Sequence, residues 1–290
     1  MPSLIDIRRR IRSVKNTQQI TKAMKMVSAA KLRRAQDRVI SARPYTAMLR
    51  EVLANVSAAV AGDEAASENP LLAHRPERRV LLGLITGDKG LAGAFNTNLI
   101  KGAQRFMAER PGVAVKLELI GRKGRDFFRK RGATIAGEHI QLAAKVLYAD
   151  TAAIAQKAME MYRAEEIDAV YLLYNEFKSV VSQKMTVTRI LPVPEAAPAQ
   201  PEAAPPDYIF EQPPAEMLDG LLPRYVEMEF YRALLESAAA EHAARMTAME
   251  AATSNAAEMI DKLTLYMNRV RQASITKEII EVVSGAAAAE

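Results

Sequence analysis

The 290-residue chain contains no cysteine and only three histidines. Without cysteine there is no disulfide scaffold, no thiolate metal site and no cysteine nucleophile. His74, His139 and His242 are isolated from one another, so no histidine pair has metal-ligand spacing. No stretch supplies the ~18 uncharged apolar residues that a membrane span requires. Asp6 and Arg8, Arg9 and Arg10 stand where a signal peptide would carry its apolar stretch, which argues against export. The Arg-rich start imitates a mitochondrial presequence, but its pattern runs past residue 40 without a break, as mature structure does. Catalytic signatures are missing too: GxGxxG, GxxxxGKS/T, GxSxG and HExxH do not occur.

Glycine and proline are absent from residues 3–43 and again from 224–284, and Pro44 is the one such residue between position 3 and Gly62. Most of the glycines lie between residues 83 and 137, and eight of the 14 prolines lie between 192 and 214. Because these two residues interrupt helices most strongly, their distribution divides the chain. It predicts a helix over 1–60, an α/β domain over 78–193, a Pro/Ala-rich linker over 194–215 and a second long helix over 216–290.

Spacing supports both helices. Leu4, Ile7, Ile11 and Val14 alternate by three and four, and Leu32, Ala35 and Val39 return in phase. Near the end Met246, Met249, Thr253, Ala256, Ile260, Leu263, Met267 and Val270 keep a seven-residue repeat, the mark of a left-handed coiled coil. Sixty-one helical residues span about 90 Å, against roughly 50 Å for a compact globule of this chain length. Such a helix needs a partner or a lumen. Between the apolar runs of the first helix, seam positions 18, 21, 25 and 28 are Gln, Thr, Lys and Ser. Two explanations stand: the partner helix turns away and the face is solvated, or the stretch addresses a third surface.

The middle is mixed. Arg79–Thr86 and Val113–Ile120 are apolar runs bounded by glycine, suited to buried parallel strands, and 167–174 and 183–193 are further strand candidates. Residues 98–109 and 151–163 have helical composition, while 122–131 and 138–148 are ambiguous. This is an α/β domain with a sheet of three to five strands.

Charge is uneven along the chain. Residues 1–60 carry 13 Lys and Arg against three acids, and residues 211–290 carry seven against 13. A basic segment fits nucleic acid, an anionic surface or an acidic protein partner. The first 60 residues hold one aromatic, Tyr45, and their cations circle the helix, so base stacking is poorly served. The loop Thr86–Asn96, TGDKGLAGAFN, has glycines at 87, 90 and 93 after a strand. A phosphate site using Lys89 and a tight packing turn are both open explanations of it. A nucleic-acid-binding coiled-coil scaffold and an enzyme built on this loop therefore stand beside an interaction protein as function classes.

The start IRRRIRSVKNTQQITKAMKMVSAAKLRRAQ and the end AARMTAMEAATSNAAEMIDKLTLYMNRVRQASITKEIIEVVSGAAA resemble the terminal helices of the gamma subunits of F-type ATP synthases. GDKGLAGAFNTN is similar to that family's glycine loop, and DYIFEQPPAEMLDGLLPRYVE to its lead into the final helix. The resemblance implies an antiparallel coiled coil of the two terminal helices with a Rossmann-like α/β domain inserted between them. It also implies a non-catalytic rotor stalk in a bacterial inner membrane complex, peripheral on the cytoplasmic side, with no cofactor, no metal and no nucleic acid. Its partners would be the alpha and beta subunits of the catalytic hexamer, the epsilon subunit and the c-ring, which would supply the only membrane contact. By motif match, Met24, Lys25 and Met26 correspond to a contact with an acidic loop of the beta subunit. Arg271, Gln272 and Thr276 correspond to a hydrogen-bonded contact with a beta-subunit catch loop, and Tyr208 to the foot at epsilon and the c-ring. The dithiol switch of chloroplast members is impossible here, and Ala92 stands where many relatives place cysteine.

Overall fold

The computed structural model describes residues 3–59, 69–194 and 212–287. Tyr208 and the Pro/Ala-rich stretch 195–211 lie outside the described residues. Two compact units emerge, one of Met1–Ala29 with Arg245–Glu290 and one of Ala30–Ala244. Helix α1 (Leu4–Ala59) and the last helix, α5 (Pro214–Ala287), contribute to both.

The larger unit is built on a five-stranded sheet. Its strands are β1 (Arg79–Ile85), β2 (Ala114–Ile120), β3 (Ile135–His139), β4 (Ala169–Phe177) and β5 (Gln183–Leu191), in the order β3-β2-β1-β4-β5. The first four are parallel, with Leu82 paired to Leu117 on one side and to Tyr171 on the other. Only β5 is antiparallel, returning along β4. Helices α2 (Phe95–Ala108), α3 (Arg122–Arg129) and α4 (Tyr148–Arg163) make the crossovers. Parallel strands covered on both faces read as unbroken apolar runs, and β1, buried at every position after Arg79, does so. The two segments left ambiguous by composition are α3 with its turn, and the end of β3 followed by a short 3-10 turn at Leu142–Ala144.

Within this unit α5 is buried nearly all round from Tyr225 to Ala243, as expected of a helix that lies inside a core instead of on its surface. Alanines at 233, 238, 239, 240 and 243 let other backbones approach it closely. On α1, Leu32, Val39, Thr46, Leu49, Leu53 and Val56 are buried and continue the heptad pattern. Pro44 sits inside α1 and forfeits one backbone hydrogen bond, yet the buried stripe passes it unbroken.

The smaller unit pairs the two chain ends. Ser3 and Asp6 cap α1 reciprocally: Ser3 Oγ accepts the Asp6 N–H at 3.3 Å and the Asp6 carboxylate accepts the Ser3 N–H at 3.3 Å. That bonding from Ser3 holds the Asp6 carboxyl below its ordinary range. Thr21 faces Thr253, their hydroxyls 2.8 Å apart, and Lys25 Nζ lies 2.6 Å from Glu250. Numbers rise on one helix as they fall on the other, so the pair is antiparallel. All eight heptad positions from Met246 to Val270 are buried or half-buried.

The polar stretch of α1 does not follow the first of the two explanations that its composition allowed, a partner helix that turns away and leaves the face solvated. Thr21 and Ser28 are 8% and 3% exposed, and Gln18 and Lys25 are half-buried, so the seam runs straight through. Thr21 tolerates this because its hydroxyl is bonded twice, to the Gln18 carbonyl at 3.0 Å and to Thr253. The fold class is the one the resemblance implied, a Rossmann-like α/β domain between two long coiled-coil helices.

Candidate functional site

In open α/β sheets, ligands bind beyond the carboxyl ends of the strands where the strand order reverses. Here that point lies between β1 and β4, and the loop Thr86–Asn96 leaves β1 there. The chain fills the place with its own helix. Ser237 Oγ of α5 donates to the Ile85 carbonyl at 3.4 Å, and the Glu236 carboxylate accepts the Phe177 N–H at 3.0 Å, at the end of β4. A Cβ on Gly87 would stand 2.8 Å from the Glu241 carboxyl carbon, so α5 packs closely against the loop at this glycine.

The loop's own groups are occupied as well. Asn96 Oδ1 accepts the Gly87 N–H at 2.8 Å. Asp88 takes the Arg122 N–H at the start of α3 and the Gln141 N–H, both at 3.0 Å. A phosphate would bind at such a helix start, and a carboxylate of the chain already lies there. Gly121 has φ +97°, and a Cβ on it would lie 2.0 Å from the Thr86 carbonyl oxygen. Tight packing accounts for Gly87 and Gly121. Among the described residues no group of three or more His, Asp or Glu is placed to hold a metal ion.

The residues singled out by resemblance all lie in the smaller unit, apart from Tyr208. Consecutive helical positions point about 100° apart, so Met24, Lys25 and Met26 face three ways. Lys25 turns to Glu250, whereas Met26 is 65% exposed. On α5, Arg271, Gln272 and Thr276 are exposed, and Thr276 donates to the Gln272 carbonyl at 3.0 Å, which stacks them one turn apart. Seam burial ends at Val270, and from Arg271 to Ser284 every residue but Ser274 is exposed, including Ile275, Ile279, Ile280, Val282 and Val283. The structure therefore makes two separate clusters: Lys25 sits opposite Glu250, and Arg271 is roughly 30 Å farther along the same helix.

The two strands of the coil differ in charge. Residues 3–29 carry seven Lys and Arg against one acid, whereas residues 246–284 carry four against five. One side of the pair is thus +6 and the other −1.

Sequence reasoning missed the charged contacts inside the larger unit. Arg50 grips Glu229 with Nε at 3.1 Å and Nη2 at 2.6 Å, and Arg43 Nη2 reaches Glu236 at 3.3 Å. Arg232 takes the other oxygen of Glu229 at 2.8 Å and donates to the Tyr174 hydroxyl at 3.2 Å. Burial opposes the charge on Arg232, but Glu229 and Tyr174 outweigh it and raise its pKa. Nearby, burial and the Glu227 carboxylate push the Tyr148 phenol up to about 12. The available signal was spacing: Arg43 and Arg50 are one heptad apart, and so are Glu229 and Glu236. No helix among the described residues is long and apolar enough to cross a membrane.

Against known proteins, the family model described as "ATP synthase" matches residues 3–289. The chain is 77% identical over 292 residues to the "ATP synthase gamma chain" of Solibacter usitatus, covering 100% of both. It is 52% identical to the chain of the same name from an Anaeromyxobacter species, over 99% of each. A chain in the Euglena gracilis mitochondrial ATP synthase (OSCP/F1/c-ring) superposes with a TM-score of 0.68 at 20% identity, over 98% of this chain and 94% of that one. At that identity the likeness bears on the fold alone.

Proposed function

The chain belongs to the ATP synthase gamma-chain family, and we propose that it turns as the central stalk, passing rotation of a proton-driven c-ring to the catalytic alpha/beta hexamer without doing chemistry itself. The observation that carries this is the lopsided coil. A ligand shifts a conformational equilibrium only by binding its states unequally. A smooth symmetric rod would bind three equivalent beta subunits alike and drive nothing. This coil is +6 on one helix and −1 on the other. Two helices side by side measure roughly 20 Å across, while the Debye length in cells is about 8 Å. A neighbouring subunit therefore senses only the face that it touches, and turning the coil changes that face.

In this reading residues 1–60 and 216–290 form the shaft, and residues 78–193 form a foot beside the epsilon subunit and the c-ring, with Tyr208 in that foot. Met24, Lys25 and Met26 meet the acidic loop of a beta subunit, where Met26 offers exposed apolar surface. Lys25 is already paired with Glu250 and adds a shared contact, not a free charge. Arg271, Gln272 and Thr276 meet a beta-subunit catch loop through donors and acceptors left exposed. The protein is then peripheral on the cytoplasmic side of a bacterial inner membrane and touches the membrane only through the ring. Exposed apolar residues beyond Val270 suit a shaft end enclosed by other chains.

Deleting residues 265–290 tests the reading in the assembled complex. ATP hydrolysis should continue while ATP-driven proton pumping falls, and the α/β domain should stay folded by far-UV circular dichroism. Full coupling after the deletion would overturn the stalk.

A further inference from the structure

The Arg–Glu contacts between α1 and α5 are arranged as a ladder. Arg43 and Arg50 stand one heptad apart on α1, and their partners Glu236 and Glu229 stand one heptad apart on α5, in antiparallel order. Both carboxylates are deeply buried, with side chains 3% and 1% exposed. Each is also tied to the sheet. Glu236 accepts the Phe177 N–H at the end of β4 at 3.0 Å, and Arg43 approaches the Phe177 carbonyl at 3.5 Å. Glu229 holds Arg232, which donates to Tyr174 of β4 at 3.2 Å. Two helices and one strand thus meet at two carboxylates.

The apolar stripe of α1 is buried alongside, at Leu49 and Leu53, but the ladder itself borders an open groove. A solvent-open groove of about 330 Å³ lies along the ladder, lined by Arg43, Thr46 and Arg50 on one side and by Phe177, Arg232 and Glu236 on the other. Across an open groove, side chains have no van der Waals partners to fix their spacing. The ion pairs fix it instead, and steeply: sliding α1 by one helical turn of about 5.4 Å would strand both buried carboxylates without their α1 cations. The guanidiniums are about half exposed, so the pairs add little net stability, but leaving a buried carboxylate uncompensated is costly, and that cost separates this alignment from its neighbours. Greasy contacts yield gradually, whereas these contacts hold or break.

We propose that Arg43–Glu236 and Arg50–Glu229 are the torque joint of the molecule, positioning residues that make β4, α1 and α5 turn as one body. The inference rests on the stalk reading and names where, within the larger unit, twist passes from the sheet to both helices. It commits to these four residues and not to the apolar stripe of α1.

The test uses the complete complex in inverted membrane vesicles, measuring ATP hydrolysis and ATP-driven acidification on the same preparation. The variants are Arg43→Met with Arg50→Met, the conservative pair Arg43→Lys with Arg50→Lys, and the 265–290 deletion as reference. The Met pair should assemble and hydrolyse ATP, with acidification per ATP lowered about threefold or more, within the range one coupling element carries. The Lys pair, which keeps the charge but loses the two-pronged grip, should restore most of that ratio. Wild-type acidification per ATP in the Met pair, beside an uncoupled deletion, would overturn the joint and leave the stalk standing. A coupled deletion would overturn the stalk itself. If the Met pair fails to assemble, the single variants Arg43→Met and Arg50→Met decide: reduced coupling at full assembly in either supports the joint, and wild-type coupling in both refutes it.

Discussion

Replacing Asp168 by Asn tests whether one carboxylate aligns the two central strands that carry α5. Asp168 lies just before β4 and is 3% exposed. Its Oδ2 accepts the N–H groups of Arg78 at 3.1 Å and Arg79 at 2.8 Å, at the start of β1, while Arg79 Nη2 donates to Oδ1 at 2.7 Å. The Arg79 guanidinium, with those N–H groups, holds the carboxyl below its ordinary pKa. Asn can still accept both N–H groups, but without charge, and its own amide would confront Arg79. Hydrogen bonds to a charged acceptor contribute about 1.5–3 kcal/mol, against about 0.5–1.5 for neutral ones. The Arg79 side chain is 47% exposed, so solvent screens most of its share. The expected loss is therefore about 1–2 kcal/mol at pH 7, most of it from the backbone contacts. Because the folded pKa is depressed, this stabilisation is complete above the unfolded carboxyl value and is lost as pH falls through the folded one. Urea unfolding at pH 7, 5 and 3 should show an undiminished difference at the first two and a smaller one at pH 3. An equal loss at all three would refute the charge argument, and no loss at pH 7 would refute the alignment.

Gly121→Ala should cost more than ~3 kcal/mol, since φ is +97° and the new Cβ would overlap the Thr86 carbonyl. A melting temperature lowered by less than about 5 °C would contradict that geometry. Lys25→Ala and Glu250→Ala remove partners whose side chains are 34% and 58% exposed, and each should move the melting temperature by less than about 3 °C. In the assembled complex Lys25→Ala should slow ATP hydrolysis more than Glu250→Ala; equal effects would assign Lys25 to the coil alone.

The parts of this fold that were legible in the sequence are those set by local rules. Heptads at Met246–Val270 and the missing glycines of 224–284 announce a long helix whatever surrounds it, and glycine-bounded apolar runs announce β1 and β2. What stayed hidden depends on two segments at once. Thr21 looks like a break in the seam until Thr253 is placed opposite, because a hydroxyl is tolerated in a seam only when its partner is known. Nothing local marks Glu229 and Glu236 for burial, and it is Arg43 and Arg50, arriving at the same spacing, that pair with them. The glycine loop was ambiguous for a similar reason: Gly87 could have faced a phosphate, and it is Glu241 that it faces. The contact residues Met24 and Arg271 came from resemblance alone, since exposure by itself does not distinguish a docking face from a wet one.

The polar seam makes physical sense for a rod that must present defined faces. An all-apolar seam would bind more tightly but would be nearly indifferent to a shift of seven residues. Here such a shift would place Thr21 opposite Ile260 or Met246, and Lys25 opposite Ala257 or Ala243. Either one loses both the hydroxyl contact and the ion pair, together worth about 1–2 kcal/mol, or roughly tenfold in preference for the observed alignment. That is modest as stability. It matters because the charge difference between the two helices acts over less than their combined width, so a misaligned coil would offer each neighbour a blurred face. Seen this way, Thr21 and Lys25 trade apolar burial for definition, and the unequal treatment of equal neighbours depends on that exchange.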